Sequence, residues 1–249
     1  MLRPGLLACL LLGQPSWADE GMLKACHEEW EPYAYHTADG RTRGITAELL
    51  TQALRQLSYR LSFTETSYAR CKREVEVGAM DIALFANRDE APALLHTTVS
   101  TEYWIVSAWV ADSSPLRSYT GLQAFSGATV GMPLGYSWPE PLASFKDWTR
   151  IDSSDPRKNL RSLASGRVDA VFDDAVWGDR VREQEHLPIR LLRPPIVVEP
   201  QFALFNPRHR ELVAKLDAIL RKMQQHGDFD QAYRRHTGAN MHDWIHSAD

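Results

Sequence analysis

Asp155-Pro156-Arg157-Lys158-Asn159-Leu160-Arg161-Ser162-Leu163-Ala164-Ser165-Gly166 runs directly into Arg167-Val168-Asp169-Ala170-Val171-Phe172. Asp followed by Pro opens a helix, because the carboxylate can accept from a free first-turn amide and proline has no amide to leave unpaired there. Gly166 closes it, since glycine takes up the left-handed backbone without a steric penalty. Residues 168–172 are then an apolar run of strand length, followed by a helical stretch over about 174–185 and a further strand at 189–192. Helix, strand, helix, strand at this spacing is the pattern of a mostly parallel sheet covered by helices.

The same alternation extends in both directions. Upstream lie strands at 129–132 and near 149–151, and before them a β-branched and aromatic run at 104–110. The polar Ser/Pro stretch at 112–118 reads as a passage between two lobes. Nearer the N-terminus, Leu23-Lys24-Ala25 and residues 59–63 read as strands, and Ile45, Leu49, Leu50, Ala53, Leu54 and Leu57 share one helical face. A helix over 68–77 ends at Gly78 before a strand at 81–85. Downstream, Pro194, Pro195 and Pro200 bracket residues 196–198, and residues 202–205 read as a strand returning to the first lobe. A long helix over 207–226 carries Leu212, Leu216, Ile219, Leu220 and Met223 on one face, with Gly227 beyond its end. The expected organisation is residues 19–108 with 196–249 as one lobe and 109–195 as the other, a geometry that can close on a ligand by bending at two crossings.

Residues 1–18 read as a secretory signal: Arg3, an apolar run from Gly5, then small residues at Ser16 and Ala18. The expected location is therefore the periplasm. No later stretch reaches the ~18 consecutive apolar residues of a membrane span. The formal charge of −4, or −5 once Arg3 leaves, comes with scattered Lys and Arg, which argues against nucleic acid as a partner. Removing Cys9 with the signal leaves Cys26 and Cys71, an even pair in an oxidising compartment; a disulfide is favoured over two buried thiols. A phosphate loop, a Gly-x-Ser-x-Gly elbow and a His-Glu-x-x-His run are all missing, so no catalytic residue, metal or cofactor is expected.

Several short motifs recur in a fixed order: Trp30-Glu31-Pro32-Tyr33-Ala34-Tyr35, Asp39-Gly40, Gly44-Ile45-Thr46-Ala47-Glu48-Leu49, then Tyr68, Gly78, Asp81 and Tyr103. Gly127-Ala128-Thr129-Val130-Gly131 with Gly135 follows, then Gly166-Arg167-Val168-Asp169-Ala170-Val171 with Asp173-Asp174, and Phe202-Ala203-Leu204. In this order the set resembles the family 3 extracellular solute-binding proteins of bacterial ABC importers, over nearly the whole chain beyond the signal. The resemblance implies an α/β, two-lobed clamshell of the type II periplasmic-binding-protein kind, each lobe a mostly parallel sheet flanked by helices. It also implies a small polar, amino-acid-like ligand, a membrane permease or a sensor as partner, and a monomer.

Within that resemblance Trp30, Tyr33 and Tyr68 are expected to wall the ligand, with core packing as the alternative for each. Asp174 stands where the family places the carboxylate that pairs with a ligand's amino group, although it could equally cap the next helix. Ser137 matches a hydroxyl that binds the ligand carboxylate, or is a turn serine. The family's carboxylate-clamping arginine is replaced by Ala93. Arg88 and Arg70 are the candidates to supply a guanidinium instead, or else are solvated surface residues. Cys26 and Cys71 would border the cleft. Two other functions share this scaffold: a cyclohexadienyl-dehydratase-like enzyme, with Glu48 or Asp174 as general acid, and a sensory protein acting through a membrane receptor.

Overall fold

A computed structural model describes residues 21–89, 91–134 and 136–246; the expected signal segment, residues 1–18, lies outside them. In chain order the elements are β1 (Gly21–His27), β2 (Tyr35–His36), β3 (Thr42–Arg43), α1 (Ile45–Arg55), β4 (Tyr59–Glu65), α2 (Tyr68–Glu76), β5 (Ile82–Ala86), β6 (Leu95–His96) and β7 (Glu102–Ala111). There follow β8 (Thr129–Pro133), β9 (Thr149–Ser153), α3 (Pro156–Ala164), β10 (Ala170–Asp174), α4 (Ala175–Glu185), β11 (Ile189–Leu191) and β12 (Val197–Phe205). Three helices close the chain: α5 (Arg210–Gln225), α6 (Asp228–Thr237) and α7 (Met241–His246).

The main strands run in the order β4-β1-β5-β12-β7-β10-β8-β9. At one end β4, β1 and β5 are mutually parallel, and at the other β10, β8 and β9 are. The long strands β7 and β12 join the two ends. Val197–Gln201 of β12 pairs antiparallel with residues 102–106 of β7, whereas the rest of β12 pairs with β5 and β6. Pro200, which has no amide to donate, sits just before this change of partner. The strand therefore continues through Pro200, contrary to the expectation that prolines bracket residues 196–198. Residues 112–118 lie beyond β7, and Arg190 holds them through the carbonyls of Ala111, Asp112, Ser114 and Leu116.

Each half buries its own core. Leu49, Leu50 and Leu54 of α1 pack with Leu216 and Leu220 of α5 and with Phe229 and Tyr233 of α6. In the other half Phe125, Val130, Met132 and Phe172 form a second cluster, and Trp109, Leu160 and Leu163 a third. Helix α3 has the punctuation its sequence implies: Asp155 accepts from the Lys158 amide at 3.4 Å, Pro156 is the first helical residue, and Gly166 has φ +72°. Strand β10 starts two residues later than expected, because the Asp169 carboxylate turns back to accept from the Thr129 amide at 2.7 Å. Cys26 at the end of β1 and Cys71 in α2 form the disulfide, fully buried, with 5.5 Å between their Cα atoms. Among the described residues no helix is long and apolar enough to cross a membrane.

Candidate functional site

A cleft of about 400 Å³ opens between the two halves of the sheet, within the size range of small-molecule sites. From the first half it takes Glu28, Glu29 and Trp30 after β1, Ser67, Tyr68 and Ala69 at the start of α2, and Phe85 and Asn87 around the end of β5. The second half supplies Trp104, Tyr136 and Ser137, the N-terminal residues of α3, Asp173 and Asp174 at the end of β10, and Trp177 of α4.

Two aromatic walls face each other. Phe85 meets Trp30 edge-on at 4.9 Å, and Trp104 meets Tyr136 edge-on at 5.7 Å. Phe85 reaches the cleft because the pairing of β5 with β12 slips by a bulge there, leaving Phe85 at φ +72°. Bulges re-aim side chains next to binding sites, and the left-handed backbone of a non-glycine residue is the strained cost of doing so. Trp30 is set from behind. Tyr33 is fully buried against it at 4.6 Å and donates to the Tyr103 carbonyl at 3.3 Å. The carbonyls of Pro32 and Tyr33 accept the first amides of α1, Ile45 at 2.9 Å and Thr46 at 3.0 Å.

Among the described residues the charged groups of the cleft are overwhelmingly acidic: Glu28, Glu29, Asp155, Asp173 and Asp174 against Arg157 alone. Arg157 is already engaged, with Glu185 at 3.4 Å and its guanidinium over the Trp177 ring at 6.0 Å. Asp174 is buried and holds the structure together: its carboxylate accepts from the amides of Trp177 at 2.8 Å and Ile105 at 3.1 Å, and from Trp30 across the cleft. Burial nevertheless pushes its carboxyl up to about 7. The Asp173 Oδ1 accepts from the Asp174 amide at 2.8 Å, while Oδ2 has no partner among the described residues, although Asp173 is only 3% exposed. Burial, with the neighbouring charges of Asp174 and Glu28, raises the Asp173 carboxyl well above the usual range. Glu28 accepts from the Tyr68 amide, and burial pushes it to about 7. Next to the lining residue Trp30, Glu31 pairs with Arg180 of α4 at 2.6 Å, linking the two halves.

Trp30, Tyr68, Ser137 and Asp174 are thus brought together, and Tyr33, Arg70 and Arg88 are not. Tyr33 belongs to the core behind Trp30. Arg70 points to solvent and pairs with Glu74 one helical turn on, at 2.8 Å. Arg88 lies over the Phe202 ring at 4.2 Å, outside the cleft lining. Neither arginine replaces the clamp missing at Ala93. Glu48 is also remote, held on α1 by Arg235 and His236. Glu28, Phe85, Trp104, Asp173 and Trp177 join the site without having been expected there. The paired acids at the end of an apolar strand, Asp173-Asp174, are the one visible signal among them.

Among solved structures, a histidine kinase sensor domain with similarity to periplasmic binding proteins superposes with a TM-score of 0.76 at 18% identity, covering 90% of this chain and 99% of that one. The substrate binding protein of an amino acid ABC transporter gives 0.73 at 11%, covering 88% and 100%, and a mutant of ArgBP from T. maritima gives 0.73 at 14%, covering 88% and 96%. At such identities these likenesses establish the fold, the two-lobed clamshell. No curated protein matches the sequence. The sequence pattern that does match, over residues 23–239, is that of the bacterial extracellular solute-binding proteins, family 3, and the chain belongs to this family.

Proposed function

We propose that the protein is a monomeric periplasmic receptor that captures a small, amine-bearing, amino-acid-like solute and delivers it to the membrane permease of an ABC importer without transforming it. The observation that carries this reading is the cleft itself, walled by aromatic side chains from both halves and holding a buried carboxylate oxygen without a partner among the described residues. An ammonium supplies the donors such an oxygen needs, and a charge-assisted bond of this kind contributes ~1.5–3 kcal/mol. The hinge lies where β7 and β12 run side by side, between Glu102 and Val106 on one strand and Val197 and Gln201 on the other. Trp30, Tyr68, Ser137 and Asp174 line the site, joined by Glu28, Phe85, Trp104, Asp173 and Trp177. The amino-acid receptors among the structural neighbours support the solute class, and residues 1–18 would direct export.

A sensory role uses the same clamshell, and the histidine kinase sensor domain of similar fold favours it as the second reading. Thermal unfolding against a library of amino acids, amines, short peptides and organic acids tests solute capture. A solute at 100 times its Kd stabilises by ~2.7 kcal/mol and should raise Tm by roughly 5–10 °C. Recovery of the bound solute unchanged is expected. Its conversion to product would refute the receptor reading, as would a library in which nothing shifts the protein.

A further inference from the structure

Three helix N-termini open onto the cleft, those of α2, α3 and α4, and such termini are the usual seats for a ligand's carboxylate. Each is already occupied by a carboxylate of the protein. Glu28 accepts from the Tyr68 amide at α2, Asp155 from the Lys158 amide at α3, and Asp174 from the Trp177 amide at α4. The single cation of the lining among the described residues, Arg157, is held by Glu185 and the Trp177 ring. A zwitterionic amino acid would therefore set its carboxylate among five acids, against a single guanidinium, that of Arg157, whose Nη1 is shared with Gln184 and Glu185.

For a cation the situation is reversed. Asp173 has an oxygen that is buried and without a partner among the described residues, in the field of Glu28 from the facing half, and the aromatic rings of Trp30, Trp104 and Tyr136 line the same cleft, where a cation is favoured near a ring face. Building on the receptor reading above, we propose that the cleft selects an organic amine that carries no carboxylate, with its ammonium group on Asp173 Oδ2 and its apolar body between the aromatic walls. A second ammonium is favoured once Glu28 and Asp174, both pushed up to about 7, are ionised, because one cation then does not balance the carboxylates of the cleft. Asp173 is then the residue that determines specificity, and Asp174 serves chiefly to cap α4 and anchor Trp30.

Matched pairs that differ only by the carboxylate isolate this inference: 1,5-diaminopentane with lysine, agmatine with arginine, histamine with histidine, and tyramine with tyrosine. Titration calorimetry on the purified protein, stripped of co-purified solute by refolding, should give one site per chain. At least one amine should bind ~30-fold or more tightly than its amino acid, the scale expected when a like charge is excluded from a poorly solvated site. Asp173→Asn should weaken that amine by ~10-fold or more, as loss of a charge-assisted bond implies, with Tm and circular dichroism showing that the variant is folded. Glu28→Gln, on the opposite wall, should weaken the same amine. An amino acid binding as tightly as its amine would overturn the inference and leave the receptor reading intact. A flat response to both series would overturn it as well, and the broader solute library then decides the receptor reading separately.

Discussion

Glu102→Gln keeps the shape of a side chain at the start of β7 and removes its titration. Glu102 is fully buried, accepts from the Thr46 hydroxyl at 2.5 Å and from the Thr101 hydroxyl, and has no partner for Oε1 among the described residues. Burial pushes its carboxyl from 4.5 up to about 7. Between those two values the folded protein holds a proton that the unfolded chain has released, so stability falls as pH rises through the window. At ~1.36 kcal/mol for each pH unit crossed, the loss is ~3 kcal/mol by neutral pH, which for a chain of this size is a Tm change of ~6–12 °C. Glu28, Asp173 and Asp174, also raised, titrate in wild type and variant alike, as does His27, whose lowered value acts in the opposite direction. They cancel in the difference. Scanning fluorimetry of both proteins from pH 4.5 to 7.5 should show the wild type losing Tm more steeply, by that amount. The new amide leaves an unpaired donor that lowers the variant's Tm uniformly, so the slope is the readout. Parallel curves would refute the assignment of a buried, proton-holding Glu102.

Gly44→Ala would place a methyl 2.3 Å from the Tyr33 carbonyl oxygen at φ +124°; the backbone there cannot yield, so a cost of ~3 kcal/mol or more and a matching fall in Tm are expected. Breaking Cys26–Cys71, by reduction or by Cys26→Ser with Cys71→Ser, reopens a loop of 45 residues and should destabilise by ~4 kcal/mol in the chain-entropy model, measurable by denaturant unfolding. Affinity for a cationic solute should fall on acidification below about 7, where Glu28 and Asp174 take up protons, Asp173 being already raised. Tyr136, whose hydroxyl burial holds well above its usual range, shares the cleft and stays neutral across that window. A calorimetric Kd independent of pH from 5.5 to 8 would contradict it.

Much of the fold is legible because its punctuation is local. Asp155-Pro156 and Gly166 bound α3 as their chemistry implies, and the apolar face from Ile45 to Leu54 is the buried face of α1. Helix α6 escapes the pattern because Gly227 reads as an end, although Phe229, Ala232 and Tyr233 mark a buried face just beyond it. The run through Pro200 misleads because a proline usually ends a central strand; here it falls where β12 changes partners. The site is less legible, for a physical reason. Its walls come from the ends of strands distant in sequence, and Phe85 is aimed by a bulge that no local pattern announces. Arg70 and Arg88 illustrate the converse: each guanidinium is close to the site in sequence, yet the structure directs both elsewhere. The absence of an arginine at Ala93 is informative in its own right, since the described lining offers no free cation to replace it.

The position of the bound solute tests the central claim most directly. A crystal structure of the complex with the best-binding solute should show one molecule between the Trp30 and Trp104 walls, with a nitrogen within hydrogen-bonding distance of Asp173 Oδ2. A solute bound outside this cleft, or one in the cleft that leaves Asp173 Oδ2 unpartnered, would contradict the account.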